Sequence, residues 1–250
     1  MFRVVIPARF ESTRLPGKVL LPLAGKPMIQ WVYERACAAG AREVIVATDD
    51  SRIADAVRRF GAEVAMTART HVSGTDRIAE AAIERGWSDA DVIVNVQADE
   101  PLLPPVLIGE AARALEADGG ADIATLATPI NSLAEFLDPN VVKVVTDRKH
   151  RALYFSRAPV PWLRDGASGS PTPAGFAGSM RHIGLYAYRL AALRKITALP
   201  ATPLELCEKL EQLRALENGF AIRVMAASVT PGPDVNTPED LQRAAHLIVP

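Results

Sequence analysis

Cysteine is nearly absent from this chain: Cys37 and Cys207 are the two among 250 residues. Far apart and each inside a helical pattern, they offer no disulfide framework and read as two reduced core thiols of a cytoplasmic protein. No apolar run approaches the roughly 20 residues that a membrane helix needs. The first apolar run starts at Phe2, which leaves no room for a charged, then apolar, leader and again predicts the cytoplasm. A formal net charge of −1 lacks the basic surplus that binding to nucleic acid requires. Two nucleotide fingerprints are missing as well. No G-x-G-x-x-G opens a helix, and Lys18 is followed by Val19 with no glycine five residues before Gly17, so no P-loop is present. An ordinary NTPase and an NAD enzyme are thereby disfavoured. There is no internal repeat, and low complexity is confined to one loop.

What remains, at 49% hydrophobic content, is an ordinary globular chain long enough for one large α/β domain. Short apolar runs alternate with amphipathic segments, which predicts parallel strands joined by helical crossovers. Strands are expected at 2–7, 43–48, 63–66, 91–97 and 122–128. Helices are expected at 27–39, 51–60 after the cap Asp50, 74–85 after Ser73, and 105–117. From about 129 the rhythm changes: 141–147, 151–157 and 182–190 have β character, and DGASGSPTPAG (165–175) reads as a surface loop or lid. A helix over 203–218, a strand at 221–227 and a helix at 238–248 complete the chain. Leu206, Leu210 and Leu213 give the first of these an apolar stripe, read as core or dimer contacts. The fold class is α/β, a parallel-dominated mixed sheet between helices with a small β/helix insertion at 129–218.

Ligands of an open α/β sheet bind beyond the carboxyl ends of its strands. Three polar clusters fall there: Arg9 to Arg14 after the first strand, Thr48-Asp49-Asp50 after the second, and Gln97 to Glu100 after DVIVNV. The first cluster suits a triphosphate. Arg9, Arg14 and Lys18 can spread over several phosphates, guanidinium groups grip oxyanions in pairs of hydrogen bonds, and Pro16-Gly17 turns Lys18 back into the cleft. A solvated basic loop is the plain alternative, disfavoured by the loop's position at a strand end. Asp99, ending a buried strand opposite those cations, suits Mg²⁺ on a nucleotide, because Mg²⁺ takes one or two carboxylates and shares the phosphates. The alternative is a turn aspartate before Pro101.

The motifs IPARFESTRLPGK, GKPMIQWVYERA, VIVATDD, HVSGTDRIAEA, VIVNVQADEPLLP, VVKVVTD, ALYFSRAPVPW, RHIGLYAYR, PLELCEKLEQLRALENG and NTPEDL, in this order, resemble the 3-deoxy-manno-octulosonate (Kdo) cytidylyltransferases, the CMP-Kdo synthetases. The resemblance implies a three-layer nucleotide-sugar transferase (Rossmann-like) fold and a nucleotidyltransferase joining CTP and Kdo. The products would be CMP-Kdo, for lipopolysaccharide synthesis, and pyrophosphate, with Mg²⁺ as cofactor in a cytoplasmic homodimer. It implies a nucleotide-binding part at 1–128 and 219–250 and a sugar-binding and dimerisation insertion at 129–218. Arg9, Ser12, Arg14 and Lys18 would hold the triphosphate, Asp99 the metal, and Ser73 and Arg77 the cytosine, although Ser73 is equally an ordinary helix cap. His182 and Tyr186, on one face of a strand, would meet the sugar with Gln97, Glu211 and Gln212, while Arg157 and Arg164 are candidates for its carboxylate or the phosphates. A CMP-sialic acid synthetase-like cytidylyltransferase shares the IPAR strand exit but resembles S-K-x-I-P-x-K-N where this chain reads STRLPGK. A non-catalytic nucleotide-binding relative is the reading from another class.

One position departs from the family. Relatives read V-D-T-P-E-D where this chain reads Asp234-Val-Asn236-Thr-Pro-Glu-Asp, so the second metal carboxylate is replaced by a neutral amide. Positions i and i+2 of an extended segment face one side, so Asp234 is a candidate to compensate for Asn236. The competing expectation is that Asn236 merely caps the following helix.

Overall fold

A computed structural model of the chain describes residues 1–12, 14–71, 73–162, 164, 176 and 178–248. The strands are β1 (Phe2–Ala8), β2 (Pro22–Leu23), β3 (Lys26–Pro27), β4 (Glu43–Thr48), β5 (Glu63–Met66), β6 (Val92–Asn95), β7 (Ile123–Pro129), β8 (Lys143–Thr146), β9 (Ala152–Ser156), β10 (Met180–Arg189) and β11 (Ile222–Ala226). The helices are α1 (Met28–Cys37), α2 (Ser51–Arg59), α3 (Gly74–Glu84), α4 (Pro105–Ala117), α5 (Leu133–Leu137), α6 (Leu190–Thr197), α7 (Pro203–Glu208), α8 (Gln212–Glu217) and α9 (Pro238–Leu247), and Lys18–Leu20 form one 3₁₀ turn.

Every residue of β1 is buried, as expected of a strand covered on both faces. The sheet runs β11-β7-β10-β6-β1-β4-β5, with β8 beside β10 and β9 beside β8. Strands β6, β1, β4 and β5 are parallel, and so are β7 and β11, whereas β10 runs antiparallel between β6 and β7. Side-chain alternation divides the core into two layers. Val4, Ile6, Val46 and Val94 pack with α1, α2, α4 and α9 on one face, while Val5, Ile45 and Ile93 pack with α3, α6 and α8 on the other. Each such fully buried side chain contributes about 1.5–3 kcal/mol. The chain leaves β1 towards β4 on one side and returns to β6 on the other. The crevice beyond β1 and β6 is therefore the point where strand order reverses.

Four expectations need correction. The helix expected over 203–218 is two short helices, because Lys209 adopts a left-handed conformation (φ 55°) and stops α7. The stripe expected there is broken with it: Leu210 and Leu213 are buried, but Leu206 is exposed. Helix α6 was not foreseen, since it follows β10 directly and its apolar residues read as a continuation of that strand. Cys37 and Cys207 are free but exposed, because each lies on the outward face of its helix instead of in the core. Loop 165–175 lies outside the described residues.

Candidate active site

Two of the three polar strand exits, those after β1 and β6, line one open cleft of about 1360 Å³; the Thr48 to Asp50 exit does not line it and, among the described residues, meets it only through Asp49, which contacts the cleft residue Arg77. The first wall of the cleft is the loop after β1. Gly17 has φ 65°, and a Cβ there would stand 3.0 Å from the Phe10 ring, so this turn admits glycine alone without rearrangement. The turn is closed by Gly17 N–H donating to the Phe10 carbonyl (3.1 Å), and Phe10 in turn packs under the Arg52 guanidinium. Lys18 is thereby turned back over the sheet, as its position after Pro16-Gly17 predicts.

Lys18 Nζ donates to Asp99 Oδ2 (2.6 Å), to the Val235 carbonyl (3.3 Å) and to Asn236 Oδ1 (3.4 Å). Asn236 Oδ1 also accepts from Arg14 (2.9 Å). Val235 is wholly buried, and its N–H donates to the Asp99 carbonyl (2.9 Å), which pins the C-terminal segment against the end of the β6 exit. Asp234 and Asn236, either side of Val235, both line the cleft. The capping expectation for Asn236 fails: Thr237 caps α9 and forms a reciprocal pair with Asp240. The Asn236 side chain is free to face the cations.

These oxygens suit a hard cation. Asp99 Oδ2, Asn236 Oδ1 and the Val235 carbonyl already converge on an ammonium. Glu100 Oε2 is buried without a partner among the described residues; burial first, then the Asp234 and Asp99 carboxylates, raise its carboxyl well above the usual range. Desolvation by the cleft wall, followed by Asp99, likewise raises Asp234. Three carboxyl groups crowd together here, and an oxygen-seeking dication would favour their charged forms. Among the described residues, no three of His, Cys, Asp and Glu form a ready-made metal cage. The phosphates of a nucleotide would have to complete the shell.

Arg9 and Arg14 are exposed on the cleft wall, while Ser12, on the same loop, is not among the residues that line it. Ser73 caps α3 in a capping box with Asp76 and lines the cleft, so both readings of Ser73 are available. Arg77 reaches the cleft but is buried, with one nitrogen on Thr67 Oγ1 and another facing Asp49 at 3.2 Å. Much of its hydrogen-bonding capacity is committed to bracing the Asp49 and Thr67 turns.

The opposite wall comes from β10 and the break after α7. His182, Gly184, Tyr186 and Tyr188 line the cleft together despite an irregularity in the β10–β7 register between Ile183 and Tyr186. The ring of His182 meets Phe155 at 5.0 Å and Tyr186 at 5.3 Å. That burial pushes the imidazole down to about 3, so it is neutral at ordinary pH. The Thr125 hydroxyl contacts the Ile183 and Leu185 carbonyls and His182 Nε2 (3.1 Å). Its single proton serves a carbonyl, which assigns the imidazole proton to Nε2 and leaves Nδ1 as an acceptor. Arg181, which the sequence reading missed, lines the cleft beside His182 and draws down the Asp234 carboxyl. The only signal for it was an arginine opening the HIGLYAYR strand.

Gln97 lines the cleft and donates to Asn95 Oδ1 (3.1 Å). Glu211 and Gln212 line the cleft from the start of α8, and the Gln212 side-chain amide nitrogen is buried without a partner among the described residues. Arg157 reaches the cleft with two donors spent, on the Glu208 carbonyl (2.8 Å) and the Pro139 carbonyl (3.0 Å). Arg164 is exposed and is not among the described residues that line the cleft.

The sequence profile of the cytidylyltransferases matches residues 3–224. A 3-deoxy-manno-octulosonate cytidylyltransferase of Thioalkalivibrio sulfidiphilus is 53% identical over 99% of this chain and 98% of its own length. Its counterpart in Halorhodospira halophila is 54% identical over 99% and 96%. Among solved structures, a CMP:2-keto-3-deoxy-manno-octonic acid synthetase complexed with CTP superposes with a TM-score of 0.89 at 41% identity, covering 99% of this chain and 98% of that one. A cytidylyltransferase from Leptospira borgpetersenii shares the fold at a TM-score of 0.60 and 17% identity, over 95% of this chain and 82% of its own. With a cation loop facing an oxygen cluster across a polar cleft, and relatives matched from end to end, the chain belongs to the 3-deoxy-manno-octulosonate cytidylyltransferases of the cytidylyltransferase family.

Proposed function

We infer that the protein is a nucleotidyltransferase that moves CMP from CTP to the anomeric hydroxyl of Kdo, releasing pyrophosphate and supplying CMP-Kdo for lipopolysaccharide synthesis. The observation that carries this reading is Lys18, which bridges Asp99 and the cleft residue Asn236 beside Arg14 and Arg9, in a cleft whose far wall presents His182, Tyr186, Glu211 and Gln212. The sugar hydroxyl attacks the α-phosphorus in line with the leaving pyrophosphate, so the protein's task is positioning and charge stabilisation. Arg9, Arg14 and Lys18 take the developing charge on the phosphates, and Ser12, which does not line the cleft, would reach them only if its loop moved. Ser73, at the opening of α3, together with Arg77, faces the base. His182 Nδ1 and the Tyr186 hydroxyl, which is buried without a partner among the described residues, meet sugar hydroxyls with Gln97 and Gln212. Arg181 and the free edge of Arg157 are nearest in kind to the sugar carboxylate.

Mg²⁺ fits the donor set of Asp99, Asn236 and Asp234, and when bound it would withdraw charge from the reacting phosphate. When CTP arrives, Lys18 exchanges part of its grip on Asp99 for a phosphate. Residues 1–128 and 219–250 serve the nucleotide, and 129–218 serve the sugar, although β10 of the latter segment lies in the middle of the sheet. That segment exposes Leu137, Leu153, Trp162 and Leu206, which supports a homodimer built through it. Among the described residues no helix is long and apolar enough to cross a membrane, and the two free thiols accord with a cytoplasmic enzyme.

The test is pyrophosphate release across four nucleoside triphosphates and two acceptors, Kdo and sialic acid. CTP with Kdo should exceed every other pair at least tenfold. Preference for sialic acid would move the protein to the neighbouring substrate class, and no release with any pair would favour a non-catalytic binder.

A further inference from the structure

Thr75 stands in the first turn of α3, two residues after the cap Ser73. Its hydroxyl donates to Glu211 Oε2 at 2.9 Å, across 136 residues of sequence. Among the described residues this is the one hydrogen bond to the Glu211 carboxylate. Arg214, the nearby cation, spends its guanidinium on Glu205 (2.8 Å from Nε) and on the Leu199 carbonyl. Both Thr75 and Glu211 line the large cleft, and both also border a second, water-sized cavity of about 20 Å³ with Tyr188 and Gln212. The Tyr188 ring stacks on Tyr186 at 5.8 Å, and Tyr186 contacts His182. The aromatic wall on the sugar side thus ends against the helix turn on the base side.

We propose that Thr75 is a positioning residue which fixes Glu211 for the acceptor sugar and ties the base-reading turn of α3 to the sugar wall. The inference rests on the reading of Glu211 as a sugar ligand. A glutamate after a helix break has three side-chain torsions to order when a ligand arrives, and ordering them weakens binding. The Thr75 hydroxyl removes that burden by holding one carboxylate oxygen and leaving the other for a sugar hydroxyl. The β-branched side chain of threonine adds a restricted χ1, which a serine in the same place lacks. The start of an 11-residue helix also favours a carboxylate by its dipole.

The experiment compares Thr75→Val, Thr75→Ser, Glu211→Gln and the double variant Thr75→Val/Glu211→Gln in the full-length enzyme. Thermal melts and CTP titration monitor the fold and the nucleotide side. Thr75→Val should raise KM for Kdo about 5–10-fold, the scale of one ordinary intramolecular hydrogen bond, with kcat within about twofold and CTP affinity unchanged. Thr75→Ser should restore KM to within about twofold of the parent. The double variant should match Glu211→Gln alone, because a positioning residue has nothing left to position. If Glu211→Gln raises KM for Kdo and Thr75→Val does not, the inference is overturned and the reading of Glu211 stands. Equal weakening of CTP and Kdo in Thr75→Val would reduce Thr75 to a structural role and also overturn it. An unchanged Kdo KM in Glu211→Gln would remove the premise itself.

Discussion

Single side chains set the chemistry of the cleft, and their charge states differ from what their identities suggest. Lys18 and Arg14 hold the oxygens of Asp99 and Asn236. Lys18→Ala and Arg14→Ala should each lower kcat about 10²–10³-fold, the effect of removing one donor from a developing oxyanion. The unfolding free energy should change by about 1 kcal/mol or less for Arg14→Ala, whose contact is exposed, and by about 1–3 kcal/mol for Lys18→Ala, which leaves the part-buried Asp99 carboxylate without its donor. Turnover near that of the parent in either variant would refute the phosphate role. His182 is the opposite case, a histidine that remains uncharged. Its folded value of about 3 lies below the ordinary 6.5, so the unfolded chain takes up this proton first. Stability is therefore lost as pH falls from about 6.5 towards 3, by up to about 1.4 kcal/mol per pH unit. His182→Gln should flatten that loss, narrowing the stability gap between parent and variant by on the order of 1–2 kcal/mol from pH 7 to 5 in denaturant titrations. A gap independent of pH would show that His182 is solvated and titrates normally. Residue types were legible in the sequence, and so was their gathering at strand ends. The neutrality of His182 and the commitment of Arg77 to Thr67 and Asp49 were not, because both depend on packing partners far along the chain.

At the scale of elements, the sequence marked β1, β4, β5, β7 and β11 to within about a residue, because buried parallel strands are short apolar runs between turn residues. It failed where two elements join without a turn signal. Arg189 ends β10 and caps α6 with no glycine or proline between them. The stop after α7 is carried by Lys209 at φ 55°, a conformation that lysine does not advertise. That break is functional in effect: a continuous helix would carry Glu211 and Gln212 on in register with α7, whereas the left-handed residue turns them into the cleft. A left-handed conformation costs a non-glycine residue about 1–2 kcal/mol. Lys209→Gly should hold or raise the melting temperature and leave KM for Kdo unchanged. Lys209→Val, which resists positive φ, should lower the melting temperature by several degrees and raise that KM. If both variants melt and bind alike, the break is not set by Lys209.

Across the whole molecule, the site exists because the two ends of the chain meet. The loop after β1 and the segment before α9 are held together through Asp99, which Lys18 reaches from one side and Val235 N–H from the other. The sequence named Asp99, Asp234 and Asn236 separately, and only the fold brings all three beside Lys18. If Asp234 supplies the charge that Asn236 lacks, Asp234→Asn should raise the Mg²⁺ concentration for half-maximal rate about tenfold, and adding Asn236→Asp should restore it. An unchanged Mg²⁺ titration would leave Asp99 as the sole protein carboxylate required. The central claim, attack at the α-phosphorus by a sugar hydroxyl, is tested most directly by ³¹P NMR of the protein with CTP, Mg²⁺ and Kdo. The account predicts that the three CTP resonances give way to pyrophosphate and one phosphodiester signal, in equal amounts and only when Kdo is present. Formation of CDP with a phosphorylated sugar, or of CMP and pyrophosphate without Kdo, would contradict it.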